Sequence, residues 1–317
     1  MSDLKESART ALRDCLDLKA GEKFMVITDE PLRKIGEAFF EVGKEMGAEA
    51  IKVEIVPRKI NGEEPPSPVA KAWLDVDVFV CPTSKSLTHT NARGAAVKAG
   101  ARGATLPGVT EDMMARCLNV DYKTMQKRAD KLCKVLSSGK NVHITTELGT
   151  DLSFSIEGRE GEPDTGIYRA AGEFGNLPAG EVYIAPLEET ANGVLYVDGA
   201  MLGICNSPIK IVFKNGYAVE ITGNAQAEEL SRMADSVGPL ARNCAEFGIG
   251  INEAAIITGN VLEDEKIFGT IHVAIGNSAH FGGKVDVPFH MDGIVFKPTV
   301  EIDGQVIIKD GKHLLDE

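Results

Sequence analysis

The sequence predicts an α/β N-terminal domain with a parallel sheet, followed by a strand-rich α+β C-terminal domain that carries a metal site. Over residues 1–138, segments with apolar residues at helical spacing alternate with short buried runs, which is typical of β-α-β units. From residue 139 the pattern changes to period-two alternation broken by glycines, which is typical of antiparallel hairpins. A chain of 317 residues with 43% hydrophobic content is long enough for two domains with separate cores.

The first domain opens with an amphipathic helix over about residues 4–16 and continues into a β-α-β unit. FMVI predicts the first strand, Ile35, Phe39 and Val42 share one helical face, and IKVEIV predicts the second strand. Further helices are predicted at PVAKAWL, NARGAAVKAG and TEDMMARCL and over residues 121–138, with strands at VDVFVC and ARGAT.

The second domain is predicted to contain mainly hairpins. Turn residues interrupt alternating segments at Gly149, at Asn215-Gly216 and at Asp303-Gly304. One helix is predicted at NAQAEELSRMADSVG. This pattern indicates a curved antiparallel sheet or a partial barrel.

Composition excludes several classes of protein. A net charge of -13 and a pI near 5.1 argue against a nucleic-acid partner. No apolar run approaches the roughly 20 residues that cross a bilayer, so no membrane association is expected. Six scattered cysteines and the absence of an apolar leader predict a reduced, cytoplasmic protein.

Motifs for phosphate binding and for nucleophilic catalysis are missing. The sequence contains neither GxxxxGK[ST] nor GxSxG, and no GxGxxG follows the first strand. Any chemistry is therefore expected from carboxylates and imidazoles.

The segment FHMDGI places His290 and Asp292 two positions apart. On a strand these side chains point to one face, where both can bind the same ion. His272 lies in the apolar run GTIHVAIG, where a buried imidazole needs a hydrogen bond or a metal. Together the three residues predict a shared metal site.

Two glutamates are candidates to join this site. Glu181 opens the strand EVYIAP after the turn LPAG, and Glu246 lies in NCAEFGIGIN between a helix and a glycine-rich turn. Carboxylates beside such turns can face a cleft, although each alone is most simply a solvated acid. The acidic residues of LEDEK, at positions 263–265, are predicted to form an exposed charged turn.

Four segments in order, GNLPAGEVYIAP, AEFGIGIN, LEDEKIFGTIHVAIGN and HMDG, resemble the metal-ligand segments of the thermophilic-type metallo-aminopeptidases, the aminopeptidase T, aminopeptidase S and leucyl aminopeptidase-like family. The resemblance is clearest in the second half of the chain. It implies a metal site with two divalent ions, zinc first and cobalt, manganese or magnesium as alternatives, held by Glu181, Glu246, His272, His290 and Asp292.

The same resemblance implies an aminopeptidase that acts on small peptides as a homodimer. Two ions roughly 3.5 to 4 Å apart lower the pKa of a bound water toward about 7 and polarise the peptide carbonyl. Glu246 would be a catalytic base or a bridging ligand. The family tyrosine that follows the histidine of the third segment is missing, and His280 is the nearest polar residue to replace it.

Two other functions stay open. Iron-dependent 2,5-dihydroxypyridine dioxygenases resemble this family, and His272, His290 and Asp292 alone form a two-histidine, one-carboxylate set that suits non-haem Fe(II). The presence of Glu181 and Glu246 favours two ions over one. A non-catalytic protein stabilised by a metal is the third possibility.

Overall fold

The structure is a computed structural model that describes residues 2–279 and 282–315. It contains two compact units. The first comprises the chain up to Tyr122 together with Gly166–Ala179, and the second comprises Lys123–Thr165 and the chain from Gly180 onward. The sequence analysis placed the boundary after residue 138. In the structure, residues 123–138 belong to the second unit, and Gly166–Ala179 belongs to the first because its strand Phe174–Asn176 joins the first sheet.

The elements follow the predicted order. The helices are α1 Ser2–Thr10, α2 Arg33–Glu45, α3 Ser67–Trp73, α4 Asn91–Lys98, α5 Glu111–Cys117, α6 Tyr122–Ser138, α7 Ala225–Val237 and α8 Val261–Asp264, with a π-helical segment at Ala11–Cys15 and short 3-10 turns at Glu30–Leu32 and Pro239–Arg242. The strands are β1 Lys23–Asp29, β2 Glu49–Ile55, β3 Val78–Cys81, β4 Arg102–Thr105, β5 Asn141–Thr145, β6 Asp151–Ser155, β7 Glu162–Asp164, β8 Phe174–Asn176, β9 Glu181–Ile184, β10 Asn192–Val197, β11 Ile209–Lys214, β12 Tyr217–Thr222, β13 Cys244–Gly250, β14 Ile271–Gly276, β15 His290–Val295, β16 Thr299–Ile302, β17 Gln305–Lys309 and β18 Lys312–His313.

The first unit contains a five-stranded sheet in the order β2-β1-β3-β4-β8, and its strand pairs are all parallel. Met25, Ile27 and Phe79 are completely buried beside it. Trp73 packs edge-on against Phe79, with ring centroids 5.0 Å apart. The predicted α/β domain with a parallel sheet is confirmed.

The second unit is strand-rich, as predicted, and contains two antiparallel sheets. One has the order β12-β11-β10-β6-β5-β16-β17-β18, and the other has the order β15-β14-β13-β9-β7. The predicted hairpin turns are present, with φ of 49° at Asn215, 83° at Gly216, 50° at Asp303 and 82° at Gly304. Both positions of each turn are left-handed, which matches the twist of the flanking strands.

The two antiparallel sheets pack through apolar faces. Phe154 on β6 and Phe247 on β13 meet with ring centroids 5.5 Å apart. Side chains alternate along a strand, so the residues on either side of Phe247 point to the opposite face of the β13 sheet. That opposite face carries the polar cluster described below.

The six cysteines, all of which lie among the described residues, form no disulfide. Within residues 2–279 and 282–315, no helix has the length and apolar character needed to cross a membrane.

Candidate metal centre

Strand register brings the predicted ligands to one face of the β15-β14-β13-β9-β7 sheet. Glu246 is paired with Ala274, which is paired in turn with Asp292. His272 is paired with Gly248, and Glu181 with Gly250. Directly paired residues on neighbouring strands point to the same side of a sheet, so all five predicted ligands share one face.

Glycine residues make the space that this cluster occupies. A Cβ atom at Gly248 would lie 2.0 Å from both Cε1 and Nε2 of His272. A Cβ atom at Gly250 would lie 2.1 Å from the carbonyl oxygen of Ile267. The sequence analysis expected a glycine-rich turn after Glu246, and this was wrong: the glycines lie inside β13, where their missing side chains accommodate a ring and a backbone segment.

The ligand atoms converge at short distances. Nε2 of His272 lies 3.3 Å from Oε2 of Glu181 and 3.4 Å from Oε1 of Glu246. Nε2 of His290 lies 3.2 Å from Oε2 of Glu246 and 3.4 Å from Oδ1 of Asp292. Glu246 therefore links the two imidazoles.

Two sets of donor atoms could each hold an ion. One consists of Glu181, Glu246 and His272, and the other of Glu246, His290 and Asp292, with the donors of each set within 4.8 Å of one another. The sets share Glu246, and both consist of residues that the sequence analysis selected.

The two histidines are held differently. Nδ1 of His290 lies 2.9 Å from the carbonyl oxygen of Asn277, which directs Nε2 toward the carboxylates. Such a contact on the far nitrogen is the usual way in which a metal-binding imidazole is oriented. Nδ1 of His272 is buried and has no hydrogen-bond partner among the described residues. His272 is positioned instead by the gap at Gly248.

Burial and charge shift the pKa values of these groups. Burial opposes protonation of His272, but its contacts with Glu246 and Glu181 outweigh burial and raise its pKa to about 9. Burial raises the pKa of Glu181 to about 8, against the nearby ammonium of Lys266. Burial alone would raise the pKa of Asp292, but the charge of His290 lowers it to about 2. The contacts with Glu246 and Asp292 likewise outweigh burial at His290 and raise its pKa, so the carboxylates favour the protonated form of both imidazoles.

Lys266 is the main residue of this centre that the sequence analysis missed. It is buried, and Nζ lies 2.6 Å from Oε1 of Glu181 and 3.7 Å from Oδ2 of Asp164, with Glu265 also in contact. The surrounding LEDEK segment was predicted to be an exposed turn, which was wrong. Glu263 and Asp264 are buried because they accept hydrogen bonds from backbone N–H groups of residues 256, 258 and 259.

The predicted catalytic residue other than Glu246 is His280. His280, expected to replace the family tyrosine, is not among the described residues. Tyr183 is a tyrosine on the same sheet face, where it is paired with Gly248 and donates a hydrogen bond of 3.2 Å to Glu162. The roles of the predicted ligands and of Glu246 as a base remain predictions.

The fold and this cluster define a protein with a mixed imidazole and carboxylate centre suited to a divalent metal ion. The family model described as NicX: 2,5-dihydroxypyridine 5,6-dioxygenase matches residues 3–315. The chain belongs to this family.

Individual relatives agree with that assignment. The curated 2,5-dihydroxypyridine 5,6-dioxygenase of Pseudomonas putida KT2440 is 22% identical over 198 residues, which is 58% of this chain and 57% of the relative. That alignment therefore spans little more than half of the relative's length. The solved structure of the 2,5-dihydroxypyridine dioxygenase of Pseudomonas putida KT2440 superposes with a TM-score of 0.84 at 17% identity, covering 98% of this chain and 96% of that one.

The fold is shared with an aminopeptidase. Wild-type AmpT from Thermus thermophilus superposes with a TM-score of 0.74 at 18% identity and covers 99% of both chains. The structural relation to aminopeptidase T inferred from the sequence is confirmed. The activity inferred from it, a metallo-aminopeptidase and hence a hydrolase and protease, was wrong, because the family match indicates a dioxygenase. The matching segments identify the sheet face that carries the imidazoles and carboxylates, and different reactions can use the same face.

Proposed function

We propose that this protein is an iron(II)-dependent dioxygenase that opens the ring of a hydroxylated pyridine. The match of residues 3–315 to the 2,5-dihydroxypyridine 5,6-dioxygenase family carries the proposal. The site supports it independently, since His272, His290 and Asp292 lie on one sheet face and are the residue types, two histidines and one carboxylate, that non-haem iron enzymes use.

The donor atoms fit a metal ion. Two donors about 2.1 Å from one ion, at octahedral or tetrahedral angles, are separated by about 3.0 to 3.4 Å. The measured separations of His290 from Glu246 and Asp292 are 3.2 and 3.4 Å.

The residues have distinct tasks in this proposal. His272, His290 and Asp292 would hold the iron, which when bound would supply the one-electron chemistry that allows O₂ to react with an organic ring. Glu246 contacts both imidazoles and orients them toward each other. The carbonyl of Asn277 fixes the ring of His290. His272 and Glu246 are buried, whereas the side chain of His290 is 25% exposed, so the centre would be reached from the side of His290.

A turnover assay tests this function. Protein reloaded with Fe(II) without oxygen, then mixed with 2,5-dihydroxypyridine and O₂, is expected to consume one O₂ per substrate and to yield a product heavier by one O₂. The assay follows oxygen by electrode and the product by mass spectrometry. Folded, iron-loaded protein that consumed no O₂ with this compound or with other hydroxylated pyridines would contradict the proposal.

A pair of matched variants distinguishes an effect on the metal site from a general effect on the protein. Asp292→Asn is expected to lose iron and turnover together, because the replacement removes a charged oxygen ligand. Asp151→Asn makes the same chemical change at a side chain that is 77% exposed, and it is expected to retain both. Equal loss in the two variants would mean that the effect is not local to the centre.

A further inference from the structure

Lys266 is a cation built into the acidic cluster. The residue is 1% exposed, and its ammonium group is surrounded by carboxylates of Glu181, Asp164 and Glu265. Its Nζ lies 2.6 Å from Oε1 of Glu181. A lysine is rarely buried this fully unless carboxylates pair with it, so these ion pairs determine where its ammonium lies.

The backbone around Lys266 fixes this position. Its carbonyl oxygen accepts a 2.8 Å hydrogen bond from the N–H of Asn252. The following residue, Ile267, lies directly on Gly250, where no side chain intervenes. Gly250 is paired with Glu181, and Glu181 is paired with Asp164. Lysine and its carboxylate partners are therefore brought together by strand register and by the close backbone contact at Gly250.

The ammonium competes with one of the two possible metal sets. The set of Glu181, Glu246 and His272 requires Glu181, one of whose oxygens already contacts Lys266. A dication on the other oxygen of Glu181 would lie close to a fixed positive charge in a water-poor environment, where like charges repel strongly. The ion-pair partners of Lys266 are Glu181, Asp164 and Glu265, none of which belongs to the set of Glu246, His290 and Asp292.

We propose that Lys266 takes the place of a second metal ion, so that the centre binds one divalent cation per chain. Its ammonium supplies the positive charge that Glu181 would otherwise obtain from a metal, and leaves the ion to His290, Asp292 and the adjoining imidazole of His272. This corrects the two ions expected from the sequence. The inference rests on the proposed function only in requiring a metal at His290 and Asp292.

Metal stoichiometry tests the inference without an activity assay. Metal-free protein is titrated with Co(II) in a calorimeter, and the metal bound after desalting is measured by elemental analysis. The natural chain is expected to bind one ion. Lys266→Ala is expected to bind two, and Lys266→Arg, which keeps the charge, is expected to bind one. Two ions in the natural chain, or one in a folded Lys266→Ala protein, would overturn the proposal.

Glu181→Gln provides a second measurement, which decides the matter if Lys266→Ala does not fold. As a partner of Lys266 and not a ligand, Glu181 is expected to be dispensable for the single ion, so the variant retains one Co(II) per chain. Asp292→Asn is expected to weaken binding by about 10- to 100-fold or more. Loss of the ion from Glu181→Gln would show that Glu181 is a ligand, and would overturn the proposal.

The two proposals fail separately. If turnover is absent but the natural chain binds one ion and Lys266→Ala binds two, the assigned reaction is wrong and the role of Lys266 stands. If turnover is observed with two ions per natural chain, the role of Lys266 is wrong and the reaction stands.

Discussion

At the scale of single residues, the two histidines of the centre are positioned in different ways, one by a hydrogen bond and one by the space that a glycine leaves. His290 is oriented by a carbonyl oxygen at 2.9 Å. His272 has no such contact on its Nδ1 within the described chain, and its ring lies where a side chain at Gly248 would be. The position of His272 thus depends on a residue that carries no functional group.

Gly248→Ala tests this dependence. The new methyl group would overlap the His272 ring, which has to move because backbone atoms on both neighbouring strands hold β13 in place. We expect metal affinity to fall by about 10- to 100-fold, as it does when a supporting group is lost. Calorimetric titration of the metal-free variant with Co(II) measures the change.

Gly94→Ala is the matched control. Gly94 lies in α4, and a Cβ atom there would meet nothing within 4 Å. The change is expected to leave metal binding unaltered and to stabilise the helix by about 0.5 to 1 kcal/mol. A Gly248→Ala protein that bound Co(II) as tightly as the Gly94→Ala protein would show that the gap at Gly248 is not required.

The sequence could indicate the ligands but not the cation beside them. His290 and Asp292 are found from their spacing alone, since residues two apart share a strand face. Lys266 follows three acidic residues and resembles part of a solvated turn in the sequence. Its burial depends on Asp164 in β7 and Glu181 in β9, which lie far from Lys266 in the chain, so no local pattern in the sequence indicates the contact.

At the scale of elements, the hairpin turns were the most predictable feature. Asn-Gly and Asp-Gly have a local reason to adopt left-handed backbone, and both turns do so. Strand β13 was less predictable, because its glycines suggest a turn when only sequence neighbours are considered. The reason for glycine at these positions is apparent only from the structure, where the His272 ring and the Ile267 backbone occupy the space that side chains would fill.

A pair of glycine variants separates backbone strain from steric overlap in these turns. Gly304 and Gly216 have φ values of 82° and 83°, but a Cβ atom at Gly304 meets nothing, whereas one at Gly216 would lie 2.4 Å from the backbone nitrogen of Glu189. Gly304→Ala is expected to lower the free energy of unfolding by about 1 to 2 kcal/mol, the cost of a left-handed non-glycine residue.

Gly216→Ala is expected to cost clearly more than Gly304→Ala, because backbone atoms have to move as well. Urea denaturation of both variants, with the natural chain as reference, measures the difference. Equal losses of stability would mean that the backbone at Glu189 moves away from the new methyl group with no loss of free energy.

At the scale of the whole molecule, the class of fold followed from periodicity, while the reaction did not follow from the ligands. The change from helical spacing to period-two alternation predicted a parallel sheet followed by antiparallel strands, but those strands form two sheets and not the single curved sheet or partial barrel that was expected. Carboxylates and imidazoles on a shared sheet face are compatible with hydrolysis and with oxygen chemistry alike. The homodimer expected from the aminopeptidase resemblance remains a prediction, and light scattering of the purified chain can measure it.

Stability of the metal-free protein is expected to fall between about pH 6.5 and pH 9. The pKa of His272 is raised from 6.5 to about 9. Its stabilising contribution is therefore complete below pH 6.5 and is lost as the pH rises through 9.

The expected loss is on the order of a few kcal/mol, since one pKa unit corresponds to about 1.4 kcal/mol. Urea denaturation of chelator-treated protein at pH 6.5, 8 and 9 measures it. His272→Gln is expected to have a shallower pH dependence, because glutamine does not titrate. A natural chain whose stability rose over this interval would show that the imidazole is not held protonated in the metal-free state.

The two glycines of β13, Gly248 and Gly250, also predict which positions of the strand tolerate substitution. Phe247 and Ile249 face the apolar interior between the sheets, where other apolar side chains of similar volume can substitute. Positions 248 and 250 have the opposite requirement, because any side chain there would occupy space taken by the His272 ring or the Ile267 carbonyl. In a saturation mutagenesis map this strand would show an alternating profile, with the narrowest tolerance at the two positions that contribute no side-chain atoms.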